Sequence, residues 1–274
     1  MSDKRTLTGQ VVAITGGAHG IGREIAAEFT AAGAQVAIGD IDLDAAQETA
    51  AELGAKAYRL DVTDRDCLNA FLTEVAHELG SIDIFVSNAG LMWVGPFAQE
   101  PHSAARAQIE VNLLGVINGI KAAAPAMVAR GGGHLITVAS AGSILPTPGE
   151  ATYAATKHGV LGYLKAVRAE MRGTGVVVTA IMPGVVDTAL AAGTSSGAAK
   201  LLTSAEVARS VVKAAARPRF EVTVPGFIGP AVKVANLLPL AVRDRLFGAM
   251  VPNQLQARAA ARQEYQASFT DPVQ

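Results

Sequence analysis

Short apolar runs alternate with longer stretches in which apolar residues recur at helical spacing, and the alternation carries through most of the chain. An apolar run bounded by turn residues reads as a buried strand, and recurrence every three to four positions reads as an amphipathic helix. The pattern predicts strands over about residues 10–15, 35–39, 56–60, 82–87, 134–139, 176–181 and 220–224. Helices are predicted over about 21–32, 43–53, 64–79, 103–129, 153–172 and 204–216. Punctuation agrees: Gly33 stands where the first helix should stop, and Thr203 with Glu206 has the spacing of a capping box. Such strand–helix repetition requires crossover connections, which make the strands parallel. The predicted fold class is α/β, a doubly wound sheet of seven parallel strands with helices on both faces. Its binding crevice would lie at the strand C-terminal ends, where strand order reverses.

Two stretches break the alternation. Residues 189–202 are small and rich in Gly, Ala, Ser and Thr, the composition of a loop that can close over a site. Residues 225–250 are apolar but interrupted by Pro230, Lys233, Pro239 and the Arg243-Asp244-Arg245 cluster, which predicts a pocket wall or subunit contact, with a peripheral membrane contact as the alternative, and no membrane span. There is no internal repeat and no linker, so a single domain is expected over 1–274, with a core over about 9–224 and a C-terminal pocket or interface segment over 225–274.

Composition narrows the function. A chain of 274 residues, 50% hydrophobic and 17% charged, buries a large core without disulfides or metal. A net charge of -1 without a basic patch argues against a nucleic-acid partner. The lone Cys67 has no internal partner and no Cys/His spacing resembles a metal site, so no metal and a cytoplasmic location are expected. Residues 1–10 carry no apolar signal core, and no run approaches the roughly 18 uncharged apolar residues of a spanning helix. His19, His77, His102, His134 and His158 are scattered without ligand spacing and read as surface or structural groups.

The candidate chemistry sits at the predicted crevice. The first strand runs into Thr15-Gly16-Gly17-Ala18-His19-Gly20-Ile21-Gly22, where a helix begins. Glycines let backbone approach a pyrophosphate, and the helix start offers free N–H groups and a positive dipole end. Asp40, ending the second strand, lies 18 residues beyond Gly22, placed to accept hydrogen bonds from an adenosine ribose and to repel a 2′-phosphate. Asp61, with Val62 beside it, follows the third strand and faces the adenine end, and Asn88-Ala89-Gly90 offers small residues where a cofactor crosses the sheet edge. Tyr153 and Lys157, four apart, share one face of a predicted helix. Ser140 ends the strand 13 residues before Tyr153. A tyrosine with a pKa near 10 is a poor base, but a neighbouring ammonium and an oxidised nicotinamide ring favour its phenolate.

Taken in order, the glycine loop, Asp61, Asn88-Ala89-Gly90, Asn112, Ser140, Tyr153-Ala154-Ala155-Thr156-Lys157 and Pro183-Gly184 with Thr188 resemble the short-chain dehydrogenase/reductase family over residues 9–220. The resemblance implies a Rossmann fold with Tyr153 as acid/base, Ser140 holding the reacting oxygen, Lys157 on the nicotinamide ribose, and Asn112 supporting a water relay from Lys157. It also implies that Thr188 and the backbone near Val186 hold the carboxamide, and that the protein is a homo-oligomer, a tetramer or dimer, paired through the helices at 103–129 and 153–172. Ser87 departs from the family, which has a first Asn there. The expected activity is NAD(H)-dependent interconversion of a secondary alcohol and a ketone on a lipophilic small molecule. An NADPH-dependent 3-oxoacyl thioester reductase is opposed by Asp40, and a dinucleotide sensor without turnover is opposed by the presence of Ser140, Tyr153 and Lys157 together.

Overall fold

The computed structural model of the chain describes residues 5–197, 200–256 and 259–270. Its strands are β1 (Val11–Thr15), β2 (Gln35–Asp40), β3 (Lys56–Arg59), β4 (Ile82–Ser87), β5 (Gly133–Val138), β6 (Val176–Pro183) and β7 (Glu221–Val224). The helices are α1 (Gly20–Ala31), α2 (Leu43–Leu53), α3 (Arg65–Glu78), α4 (His102–Gln108), α5 (Gly115–Arg130), α6 (Ala151–Glu170) and α7 (Ser204–Ala216), followed by α8 (Ile228–Ala235), α9 (Leu240–Met250) and α10 (Ala259–Thr270). The strands form one sheet in the order β3-β2-β1-β4-β5-β6-β7, parallel throughout. Strand order therefore reverses between β1 and β4, and a crevice opens beyond their C-terminal ends.

Period-two alternation sends the strand side chains to two cores. Val12, Ile14, Ile38 and Val86 face α1 and α7 through Ile25, Phe29, Val207 and Val211. Ala13, Phe85 and Leu135 face the opposite way, onto Leu68, Phe71, Ile120, Met127 and Leu164 of α3, α5 and α6. Gly33 adopts φ 82° just after α1, and Thr203 and Glu206 form the reciprocal capping box at α7.

The long helix expected over 103–129 is not continuous: a π-helical turn, Ile109–Leu114, separates α4 from α5. The wider turn is held by Asn112, whose buried amide accepts from Leu91 N (2.7 Å) and donates to Leu91 O (2.8 Å) and Thr156 Oγ1 (3.3 Å). The whole run His102–Arg130 is long and apolar enough, by length and composition, to cross a membrane. Here Val116, Ile120 and Met127 instead pack into the core beneath the sheet, which accounts for its apolarity. The segment 225–250 folds as α8 and α9. Pro230 sits in the first turn of α8 and Pro239 caps α9, positions where a missing N–H costs little.

His134 lies buried in β5, and burial, with a smaller contribution from the charge of Arg5, pushes its pKa down to about 3. Thr179 Oγ1 donates to Arg219 O, so His134 Nε2 is the donor to Thr179 Oγ1 at 2.8 Å, while Nδ1 finds no partner. A folded-state pKa below the unfolded value near 6.5 gives stability that is complete above pH 6.5 and is lost as pH falls toward 3. At pH 5 the loss from this group is about 2 kcal/mol. His134→Leu leaves the Thr179 hydroxyl satisfied by Arg219, so it should remove that part of the acid destabilisation; comparing urea unfolding of both proteins at pH 5 and pH 7 measures it.

Candidate active site

At the reversal point, Thr15 Oγ1 accepts from Asn88 N (3.0 Å) and Ala89 N (3.2 Å), while Asn88 Nδ2 donates to Thr15 O (3.2 Å) and Gly16 O (2.7 Å). These four bonds tie the ends of β1 and β4 together beneath the glycine loop. Gly16 has φ 65°, and a Cβ there would lie 2.8 Å from Ala89 Cα, so only glycine fits between the strands. At Gly22 a Cβ would lie 2.0 Å from Gly16 O, which lets α1 start directly under the loop. His19, the N-cap residue of α1, makes no side-chain capping bond. The helix thus presents its first amides toward the crevice.

Asp40 reaches the same rim from β2. Its carboxylate accepts from Ala18 N (2.9 Å) and Asp42 N (3.2 Å), which fixes its direction and leaves lone pairs for further donors. Asp42 caps α2 by accepting from Ala45 N and lies 3.5 Å from the exposed His19 ring. Asp61 accepts from the backbone N–H and hydroxyl of Thr63, an arrangement that turns the chain after β3.

The chemical groups gather between β5 and α6. Ser140 Oγ accepts from Gly142 N at 3.0 Å and is hydrogen-bonded to the Tyr153 hydroxyl. Lys157 Nζ donates to Val138 O at 3.3 Å and stands 5.5 Å from the Tyr153 ring centroid. Burial pushes the Lys157 ammonium down to about 8. Burial and then the Glu150 charge push Tyr153 above its ordinary value, against the Ser140 hydrogen bond, which pulls it down. Protein groups alone thus favour the neutral phenol, and the depression anticipated from Lys157 is not among the causes acting on it. Asn112 meets this group from behind: a Cβ at Gly90 would lie 3.2 Å from Asn112 Oδ1 and 3.7 Å from Lys157 Nζ.

A cavity of about 980 Å³ joins the two ends. All of the anticipated dinucleotide and catalytic residues border it, including Ile21, Pro183, Gly184, Val186 and Thr188, except Gly22 and Asn112, which sit behind its wall. Val186 pairs with Leu202 and closes the base of the 189–202 loop. Ser87, where the family's usual Asn is missing, has a buried hydroxyl without a hydrogen-bond partner.

Four bordering or supporting residues carried no motif. Buried Arg262, from α10, donates to Leu190 O (3.0 Å), Ala192 O (3.0 Å) and Met92 O (2.7 Å). Gln254 accepts from Ser195 N (2.8 Å) and donates to Ser195 O (2.7 Å). The Tyr265 hydroxyl accepts from Met92 N at 3.3 Å. Glu150, three residues before Tyr153, is buried at the cavity wall. The first three come from distant chain, which no local spacing reveals; Glu150 was within reach of the Tyr153 helix pattern.

Residues 10–199 match the short chain dehydrogenase family, and the chain belongs to it. A probable oxidoreductase, EphD of Mycobacterium tuberculosis, is 38% identical over 190 residues, 67% of this chain but only 32% of EphD, so the likeness spans about a third of that longer protein. Sorbitol dehydrogenase of Cereibacter sphaeroides is 39% identical over 184 residues, 66% of this chain and 72% of the enzyme. The crystal structure of a short chain dehydrogenase/reductase from Burkholderia phymatum in complex with NAD shares the fold, with a TM-score of 0.78 at 23% identity over 85% of this chain and 95% of that one. Members of this family bind nicotinamide dinucleotides. The glycine cradle, the uncapped start of α1 and the fixed Asp40 carboxylate fit such a group.

Burial pushes the Glu150 carboxyl up to about 7, against the attraction of the Arg262 charge. A folded pKa above the unfolded value near 4.5 means that the folded state holds the proton more tightly, so stability falls as pH rises from 4.5 to 7. Glu150→Gln, a neutral mimic of the acid, should therefore stabilise the protein by up to about 3 kcal/mol at pH 8 and by little near pH 5. Thermal melts of the two proteins at both pH values measure the difference, and an equal shift at both would mean that Glu150 is not held as the acid.

Proposed function

We propose that the protein is an NAD(H)-dependent dehydrogenase/reductase that interconverts a secondary alcohol and a ketone on a lipophilic small molecule. The observation that carries this reading is the meeting of Ser140, Tyr153 and Lys157 with the Asp40 rim in one cavity. Tyr153 is the proton donor and acceptor at the substrate oxygen, and Ser140 holds that oxygen by hydrogen bonding. Lys157 binds the nicotinamide ribose and adds positive charge beside the phenol. Asn112 supports a water relay behind Lys157. Bound nicotinamide supplies the hydride acceptor or donor. Thr188 and the Val186 backbone hold its carboxamide. Beyond Tyr153 the cavity is bordered by Met92, Leu145, Leu190, Ile228, Val232 and Phe247, which supports a lipophilic substrate.

The preference for NAD over NADP rests on Asp40, whose fixed carboxylate accepts from ribose hydroxyls and repels a phosphate in their place. The NAD complex of the Burkholderia relative is in keeping with it. A homo-oligomer paired through α5 and α6 is also proposed, since small exposed residues such as Ala166 allow close helix approach. A cytoplasmic location is in keeping with the single free Cys67.

Tyr153→Phe should lower turnover at least about tenfold in a panel of secondary alcohols followed by NADH absorbance, with NADH affinity nearly unchanged in a fluorescence titration. Activity close to wild type would remove Tyr153 from its role. The cofactor assignment is tested by kcat/KM with both dinucleotides: the wild type should favour NAD at least about tenfold, because each charge-assisted bond is worth about 1.5–3 kcal/mol, and Asp40→Ala should narrow that ratio. Equal use of NADP by the wild type would support the thioester-reductase alternative instead.

A further inference from the structure

Eight of the fourteen exposed large hydrophobic side chains among the described residues fall within residues 227–250, under a tenth of the chain. Leu237 is 85% exposed, Val234 64%, Leu240 62%, Phe227 60%, Met250 51% and Val242 49%. Of α8 and α9 only Val232, Ala235 and Phe247 are fully buried among the described residues, forming a small core with the half-buried Ile228 of α8 and with Ile144, Leu145 and Val251. Helix α9 in particular has one buried side chain, so most of its apolar surface is left facing water. A concentrated patch of this kind marks an interaction surface.

Charge selects the occupant. Lys233, Arg243 and Arg245 stand in this stretch against the single acid Asp244, although the whole chain carries a net charge of -1. The Arg243 guanidinium lies 3.9 Å from Asp244, and Lys233 lies 3.2 Å from Glu221 on β7. An isologous contact with a second copy would set two patches of the same net positive charge face to face, whereas an anionic lipid surface complements that charge. The cavity opens on the same face: Phe227, Leu246 and Met250 are exposed and also border it. With 8 and 11 residues, α8 and α9 are too short to span a bilayer.

We infer that α8 and α9 form a peripheral docking surface for an anionic membrane, seating the mouth of the cavity at the lipid interface. The apolar residues enter the acyl boundary while Lys233, Arg243 and Arg245 meet the headgroups. A lipophilic substrate, on the function proposed above, then passes between bilayer and cavity without crossing water; the docking itself does not depend on the reaction.

The test is sedimentation of the full chain with vesicles of equal parts phosphatidylcholine and phosphatidylglycerol, and with phosphatidylcholine alone, at physiological salt. The wild type should partition at least about fivefold more strongly onto the anionic vesicles. The double variant Leu237→Asp with Leu240→Asp should lose at least about tenfold of that binding, and Arg243→Gln with Arg245→Gln at least about fivefold. Circular dichroism identical to wild type is expected, because these side chains are exposed; if the aspartates unfold the chain, Val242→Asn and Val234→Asn test the same face. Absence of binding by the wild type, equal binding to neutral vesicles, or retained binding in the apolar variants would overturn the proposal. So would light scattering in which the apolar variants halve the particle mass while no form binds vesicles, since the face would then join two copies.

Discussion

The link between Thr15 and Asn88 is the contact on which the rest of the site depends. In an all-parallel sheet the strand ends diverge where the order reverses, and something must hold β1 and β4 at the right separation. One threonine hydroxyl accepts two backbone N–H groups while one asparagine amide returns to two carbonyls, so buried polar backbone at the crevice floor is satisfied. With that floor fixed, Gly16 can touch Ala89, α1 can start beneath the loop, and Asp40 can be tied to Ala18. The neighbouring Ser87 hydroxyl, left without a partner, shows the opposite case one residue earlier.

Burial governs the chemistry at the other end. Taking Tyr153, Lys157 and Glu150 out of water disfavours the charged form of each, so phenol and carboxyl move up and ammonium moves down. The three groups converge toward neutrality, and a positive charge brought into the cavity acts on them with little water to screen it. The Ser140 hydrogen bond is the one contact that already draws Tyr153 toward ionisation. A site of this kind is poised by its occupant.

The C-terminal segment converts an open crevice into a cavity. Arg262 satisfies three carbonyls on the chain segments around Met92 and the 189–192 turn, and Gln254 mimics a strand pairing with both backbone groups of Ser195. These side chains hold loop backbone that has no regular partner of its own, a costly thing to leave unsatisfied. The walls around the Tyr153 end of the cavity are thereby built from chain far from α6.

The alternation of apolar runs and helical patterns determined the sheet, its parallel sense and most helix bounds, because both periodicities are local properties of the backbone. The glycine loop, Asp40, Ser140, Tyr153 and Lys157 were legible for a related reason: each follows a strand or shares a helix face, so spacing alone carries them to the sheet edge. The π turn at Asn112, the burial that raises Glu150 and the closure by Arg262, Gln254 and Tyr265 were decided only by tertiary structure. Each depends on what a side chain meets across long sequence separation, and desolvation and hydrogen-bond satisfaction exist only once those partners have been brought together.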